Sequence, residues 1–349
     1  MGVTTGRNSG ARTVLFNQYM SSHLYSIKFP VPDPHYAYVR TRHRNSGLTS
    51  VRWYDEQTLF AGDFAAKTVY RVKPFSSNPI EAGISTLDGE GRPTETDLMD
   101  LRDNTMALTN FYTGEVAFYT VGADVLQFER VILPPAQSAR SSLNKFWHKF
   151  MQYSSSRNKD AGVEKGGRKI HGVVFIPGYA NLLWVSYCDA GRKGIEIVTT
   201  DGSSVCSVPT TEQAQDVAFM RSGDETYAIQ AARTNHITVN EPNETEMYVT
   251  MYVYRLPRDL NKKAPELLLT QRFLGHLDAL KMFDGFVYGA NQHDSCVDEF
   301  EYSPKVNEIK LRRRIGGFDM PHGLDIRSDG LMAVTNYGPG NELRLYQLG

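Results

Sequence analysis

Cysteine is scarce: Cys188, Cys206 and Cys296 are the only three in 349 residues. Three widely spaced thiols cannot build a disulfide scaffold or a zinc-spaced pair. An excess of one charge is also missing, since 38 Lys and Arg face 39 Asp and Glu. A near-neutral chain does not bind nucleic acid through bulk electrostatics. No apolar run approaches the ~20 residues that span a bilayer. The opening Met1-Gly-Val-Thr-Thr-Gly6 lacks the charged-then-apolar pattern of a secretory signal. The expectation is a soluble, cytoplasmic protein. No Gly-x-Ser-x-Gly elbow and no phosphate-binding Gly-Lys-Ser/Thr loop occurs either.

What is present is a repeat. Pro321-His-Gly-Leu-Asp-Ile-Arg-Ser-Asp-Gly330 reads as a strand and a turn. Leu331-Met-Ala-Val-Thr-Asn336 is a second strand, and Tyr337-Gly-Pro-Gly340 turns into a third, Glu342–Leu348. Short alternating apolar runs punctuated by Gly, Pro, Asn and Asp are antiparallel strands joined by tight turns. The unit recurs at Thr58–Val72, Thr105–Val121, Leu182–Val198, Thr226–Tyr254 and Phe286–Tyr302, with a first copy at Thr13–Phe29. Further strands fall between copies, giving about four strands per period of roughly 40 to 60 residues, the grammar of a β-propeller blade. The fold expectation is all-β, a single propeller over residues 1–349 with four-stranded antiparallel blades. Seven blades are counted, or six if the terminal copies merge into one.

Ala333-Val-Thr-Asn336 and Ala107-Leu-Thr-Asn110 resemble the repeat of YVTN propellers, and Pro321-His-Gly-Leu-Asp-Ile with Ser-Asp-Gly resembles an NHL blade. This architectural resemblance implies a propeller without fixing an activity. Aligned blades open their first strands at Thr49, Asp97, His171, Asp216, Asp278 and His322. Such positions converge near the channel axis. Asp97, His171, Asp216, Asp278 and His322 therefore form a candidate site for one divalent metal (Mn, Zn, Ca, Mg or Fe), because carboxylates and imidazoles supply its ligands. Gluconolactonase-like and paraoxonase-like propellers hold a metal at inner-strand openings, but their Glu-Gly-Pro and Asn-Gly openings are missing here. Oligogalacturonate lyases and carotenoid oxygenases use histidines around the axis. The competing reading is turn chemistry, in which Asp or His satisfies free backbone amides. His293 is a candidate base on a nearby loop. Repetition makes Asn17, Asp63, Asn110, Asn291 and Asn336 structural turn residues, and Cys188 reads as the matching turn position of its blade, a small buried residue.

Two interruptions stand out. Residues 134–170 are expected to insert an amphipathic helix, Ser141–Tyr153, and a basic loop between the third and fourth copies; residues 233–246 form a long loop in the fifth. Leu143, Phe146, Trp147, Phe150 and Met151 share one helical face. From Ala136 to Ile170 there are eight Lys or Arg against two acids. Lys145, Phe146, Trp147, Lys149 and Phe150 are the candidate partner-binding residues. The helix can pack on the rim as a lid, dock into a protein groove, or touch an anionic membrane or RNA. Asn243-Glu-Thr245 matches a glycosylation sequon, inert without secretion. The leading expectation is a binding platform for a protein or small-molecule ligand. The alternative is a metal-dependent hydrolase or lyase, lactonase-like or uronate-lyase-like, acting in the channel.

Overall fold

The computed structural model describes residues 25–30, 47–122, 125–134, 169–189, 192–208, 210–233, 248–337 and 341–349. Strand β1 (Tyr25–Lys28) stands apart from the strands that follow it in sequence. The first blade is β2 (Leu48–Trp53), β3 (Leu59–Asp63), β4 (Thr68–Val72) and β5 (Ile80–Ser85). The second is β6 (Thr96–Arg102), β7 (Thr105–Asn110), β8 (Glu115–Val121) and β9 (Leu126–Ile132). The third is β10 (Ile170–Phe175), β11 (Leu182–Asp189), β12 (Arg192–Thr199) and β13 (Ser204–Val208). The fourth is β14 (Gln213–Ser222), β15 (Glu225–Arg233), β16 (Tyr248–Leu256) and β17 (Glu266–Leu274). The fifth is β18 (Leu277–Phe283), β19 (Phe286–Asn291), β20 (Cys296–Ser303) and β21 (Glu308–Ile315). The sixth has three consecutive strands, β22 (Pro321–Ile326), β23 (Leu331–Asn336) and β24 (Glu342–Gln347). Its fourth, outermost strand is β1, antiparallel to β24 with Tyr25 opposite Leu345.

The ring therefore has six blades, not seven. The part of the first copy that is described, β1, completes the last blade; Thr13–Asn17 lies outside the described residues. Asn341 secures the junction. Its side chain accepts the Leu48 amide (3.2 Å) and donates to the Pro30 carbonyl (2.9 Å), while its own carbonyl accepts the Phe29 amide.

Tight hairpins set each blade. Asp284 and Gly285, with φ of 46° and 81°, make the two-residue turn between β18 and β19, and the positive φ at both positions suits the right-handed twist of the strands. Burial falls from axis to rim: β22 is buried throughout, whereas β21 at the rim shows only two buried residues. A blade cannot cover both faces of its own sheet, so neighbours pack face to face. Six apolar clusters follow, one at each blade interface. Trp184, Ile195 and Ile197 of the third blade, for example, meet Val217, Tyr252 and Tyr254 of the fourth.

Among the described residues there is no helix, and none is long and apolar enough to cross a membrane. The insertion at 134–170 joins the second blade to the third in the six-blade count. Its expected helix, with Lys145, Phe146, Trp147, Lys149 and Phe150, lies outside the described residues. So does most of the 233–246 loop, together with Asn243, in what is the fourth blade.

Candidate functional site in the channel

Every innermost strand slips register against its neighbour, and the slip falls at the same place six times. An extra residue in a ladder bends the strand and re-aims a side chain. The residues caught in the slips are Thr49, Asp97 with Leu98, His171, Gln215 with Asp216, Asp278 with Ala279, and His322 with Gly323.

Four of the five expected metal residues meet there. His171 Nε2 lies 3.6 Å from Asp97 Oδ2 and 3.4 Å from Asp278 Oδ1. His322 Nε2 lies 3.6 Å from Asp97 Oδ1 and 4.0 Å from Asp278 Oδ1. The two imidazoles stack at 5.4 Å. Asp97, His171 and His322 each offer one ligand atom within 4.8 Å of the others. All four residues are buried, with His322 the most exposed at 7%. Glycine makes the approach tight enough. A Cβ on Gly172 would lie 2.4 Å from the Gln215 carbonyl oxygen, and one on Gly323 would lie 2.6 Å from that of Thr49.

Asp216 is not with them. In register, Gln215 holds the position of Asp97, Asp278 and His322, and Asp216 follows it. Its Oδ2 accepts the Leu280 amide of the next blade at 2.9 Å. Thr49 serves as support: its hydroxyl donates to the Thr96 and Asp97 carbonyls, and its own carbonyl is 2.9 Å from His322 Nδ1. His293 sits exposed on the β19–β20 turn of the same face, with Nδ1 2.8 Å from Asp294 Oδ1.

One member went unread in the sequence. His276, in the connection before β18, brings Nε2 to 3.0 Å from Asp278 Oδ1 and 2.8 Å from Arg233 Nη1. Gly275, at φ 124°, packs against Asn291, whose Oδ1 accepts the His276 amide. Gly-His before a strand reads as a turn, so only the fold reveals it.

Burial and charge pull these groups in opposite directions. Burial raises the Asp97 carboxyl, and the opposing pull of His171 and His322 does not cancel it. Burial alone would lower His171, but Asp97 and Asp278 outweigh it and hold the imidazole above its usual value. Burial would raise Asp278, but His276, His322 and His171 hold it well below the usual range. Burial leaves His276 lowered despite Asp278.

These directions give a stability profile for the metal-free chain. His171 stabilises the fold fully below its unfolded value near 6.5, and that contribution is lost as pH rises through its higher folded value. Asp278 stabilises fully above its unfolded value near 3.8, and that contribution fades as pH falls below it toward the lower folded value. Thermal melts in chelator should show an alkaline decline above pH 6.5 that His171→Gln flattens. Parallel declines in both proteins would refute the assignment.

A second polar storey crosses the axis three residues along four of the six strands, roughly 10 Å deeper. Arg52, 3% exposed, places Nε 3.3 Å from Asp100 Oδ1 and donates from Nη1 to the Val51 and Leu324 carbonyls. Lys281 Nζ lies 2.6 Å from Asp325 Oδ1. Asp325 accepts the Trp53 amide and Asp100 the Phe175 amide, so carboxylates staple neighbouring blades. The upper storey lies toward the other face. There Tyr337 packs on the His322 ring at 5.5 Å, and Phe64, Phe111 and Tyr112 form an edge-to-face cluster under the Lys169 ammonium.

Asp63 caps the Ala66 amide of its own turn, whereas Asn110 donates to the Leu87 carbonyl and Asn336 accepts the Asp319 amide, tying in the segments that lead into their blades. Cys188 is fully buried, with its amide and thiol on the Lys169 carbonyl. Tyr187, opposite Ile170, takes the ladder position expected for Cys188.

No protein-family model matches the chain, and no curated protein matches it in sequence. Solved structures do. The WD40 repeats of RRP9 superpose with a TM-score of 0.51 at 10% identity, covering 88% of this chain and 96% of that one. Virginiamycin B lyase from Staphylococcus aureus gives 0.51 at 8% identity, over 93% and 99%. A putative glucose dehydrogenase from Thermus thermophilus gives 0.53 at 15% identity, over 86% and 96%. The likeness is one of fold. It bears out the distant propeller resemblance read from the repeats, and the variety of these neighbours leaves the activity to the site.

Proposed function

We propose that this propeller is a hydrolase or lyase whose reaction centre is the upper storey of the channel. One observation carries the reading. Asp97 Oδ1, Asp278 Oδ2 and His171 Nδ1 are buried without a hydrogen-bond partner among the described residues, although each belongs to a cluster of ionisable groups. Burying charge with unspent hydrogen-bonding capacity costs several kcal/mol. Stability would favour apolar residues there, so the convergence points to chemistry. A substrate oxygen brought to this cluster would meet Asp97, His171, Asp278 and His322, groups from four blades. Tyr337 and Lys169 border the approach. The lower storey crosses the axis beneath.

The platform expectation draws on Lys145, Phe146, Trp147, Lys149 and Phe150, outside the described residues, while the enzyme reading rests on described atoms. The test is a turnover assay on a panel of lactones, esters and uronates. Asp97→Asn and His322→Ala, checked for folding, should each lower turnover at least ~100-fold, the usual scale for a lost proton-transfer or polarising group. A wild type inert on the whole panel, or a folded Asp97→Asn protein of undiminished activity, would count against an enzyme.

A further inference from the structure

We infer that the upper storey is a site for one divalent transition ion, held by Asp97, His171 and His322 with Asp278 as the fourth ligand. The inference takes the same cluster as the proposed function and deepens that reading. Distances decide between three occupants: nothing, a water, or an ion. The four cross-channel nitrogen–oxygen separations run from 3.4 to 4.0 Å. Hydrogen bonds between such atoms fall near ~2.7–3.2 Å. The ring is therefore too wide to satisfy itself. A central water ~2.8 Å from each partner would set tetrahedral partners ~4.6 Å apart. All four cross-channel separations fall short of that. Ligands ~2.1 Å from a tetrahedral ion lie ~3.4 Å apart, the lower end of the observed range, so the four residues close on an ion by contraction.

The lone pairs are also in place. His322 Nδ1 sits 2.9 Å from the Thr49 carbonyl oxygen, an acceptor only, so Nδ1 carries the proton and Nε2 presents its lone pair to Asp97. A metal-bound imidazole is oriented in this way by a carbonyl behind it. The unpartnered Asp97 Oδ1 faces His322 Nε2, and Asp278 keeps Oδ2 unspent. Two neighbours stand outside the ligand set. Asp216 lies one position past the ring in register and gives Oδ2 to the Leu280 amide. His276 Nε2 has the Arg233 guanidinium at 2.8 Å and stands 3.0 Å from Asp278 Oδ1. Two imidazoles with two carboxylates favour Zn, Mn or Fe(II) over Ca or Mg, whose shells are oxygen. Such an ion would supply Lewis acidity toward a carbonyl or a bound water.

The experiment uses the full chain purified without chelator. Metal content is read by inductively coupled plasma mass spectrometry, and affinity for Zn, Mn and Fe(II) by chelator competition on the stripped protein. About one equivalent is expected in the wild type. His322→Ala and Asp97→Asn should each weaken affinity at least ~100-fold, and His276→Gln should keep the stoichiometry while losing ~10- to 100-fold in affinity. Near-ultraviolet circular dichroism checks each fold. Should a variant unfold, absorption bands of Co(II) bound to the wild type report nitrogen and oxygen ligation directly. Failure of every ion to bind the wild type, binding of Ca alone, or full affinity in folded His322→Ala overturns the site. Metal bound by a protein inert in the substrate panel would sink the enzyme reading alone. Turnover that persists in protein shown to be metal-free would sink the metal alone.

Discussion

Arg52→Met is expected to destabilise the protein by about 3–5 kcal/mol, the scale for removing one partner of a buried ion cluster. Arg52 is buried in the lower storey and answers three carboxylates on three other blades: Asp100, Asp325 and Asp216. Methionine fills much of the volume but removes the charge and both donations to the Val51 and Leu324 carbonyls. Burial already raises the Asp216 carboxyl, and Arg52 is the largest influence opposing it. Without Arg52, Asp100 and Asp216 lose their buried counter-charge, while Asp325 keeps Lys281. The deficit should be largest near pH 7 and narrow as pH falls through the raised Asp216 value, because a protonated carboxyl needs no counter-charge. Adding Asp100→Asn to Arg52→Met should restore part of the loss, a coupling that a double-mutant cycle in urea reads directly. A folded Arg52→Met protein within ~0.5 kcal/mol of the wild type, the range of an ordinary surface change, would refute the account.

The same residues show what could be read in advance. The opening positions were legible because each starts a strand after a turn signal, and the fold places Asp97, His171, Asp278 and His322 together. The lower storey was written three residues further on, at Arg52, Asp100, Lys281 and Asp325, where a charge inside a strand carries no sign of the axis it shares. Strand alternation says which face a residue takes, not which charges from other blades share the axis. The blade count went astray for a related reason. The pattern of β1 announces a strand but not its partner, and that partner, β24, lies more than 300 residues away. Asp216 was misaligned because the slip in β14 spans both Gln215 and Asp216, and turn residues alone do not choose between them. His276 belongs to a connection, outside any periodicity, and enters the site only through Gly275 and Asn291.

Glycine at the blade seams supports the second large effect. Gly172→Ala should cost about 3 kcal/mol or more, at or above the upper end of ordinary overpacking, because the obstacle is backbone. The added Cβ would meet the Gln215 carbonyl oxygen at 2.4 Å, with the Asp216 backbone and carboxylate at 3.2 and 3.1 Å. No rotamer change relieves a contact with the main chain of another blade, so the third and fourth blades must part. Gly172 follows His171 directly, and the movement displaces the imidazole from the 3.4 Å it keeps from Asp278. Stability and ion affinity should therefore fall together. Gly323→Ala is expected to repeat the effect on the other side of the ring, where the Cβ would lie 2.6 Å from the Thr49 carbonyl oxygen that orients His322. Gly316→Ala is the control: its Cβ meets nothing within 4 Å, so both properties should stay near wild type. Urea unfolding and chelator competition on the same three variants separate the outcomes. If Gly172→Ala lost stability while binding the ion as tightly as the wild type, the seam would be structural only. If it kept both, the close approach of the third and fourth blades at the channel would itself be wrong.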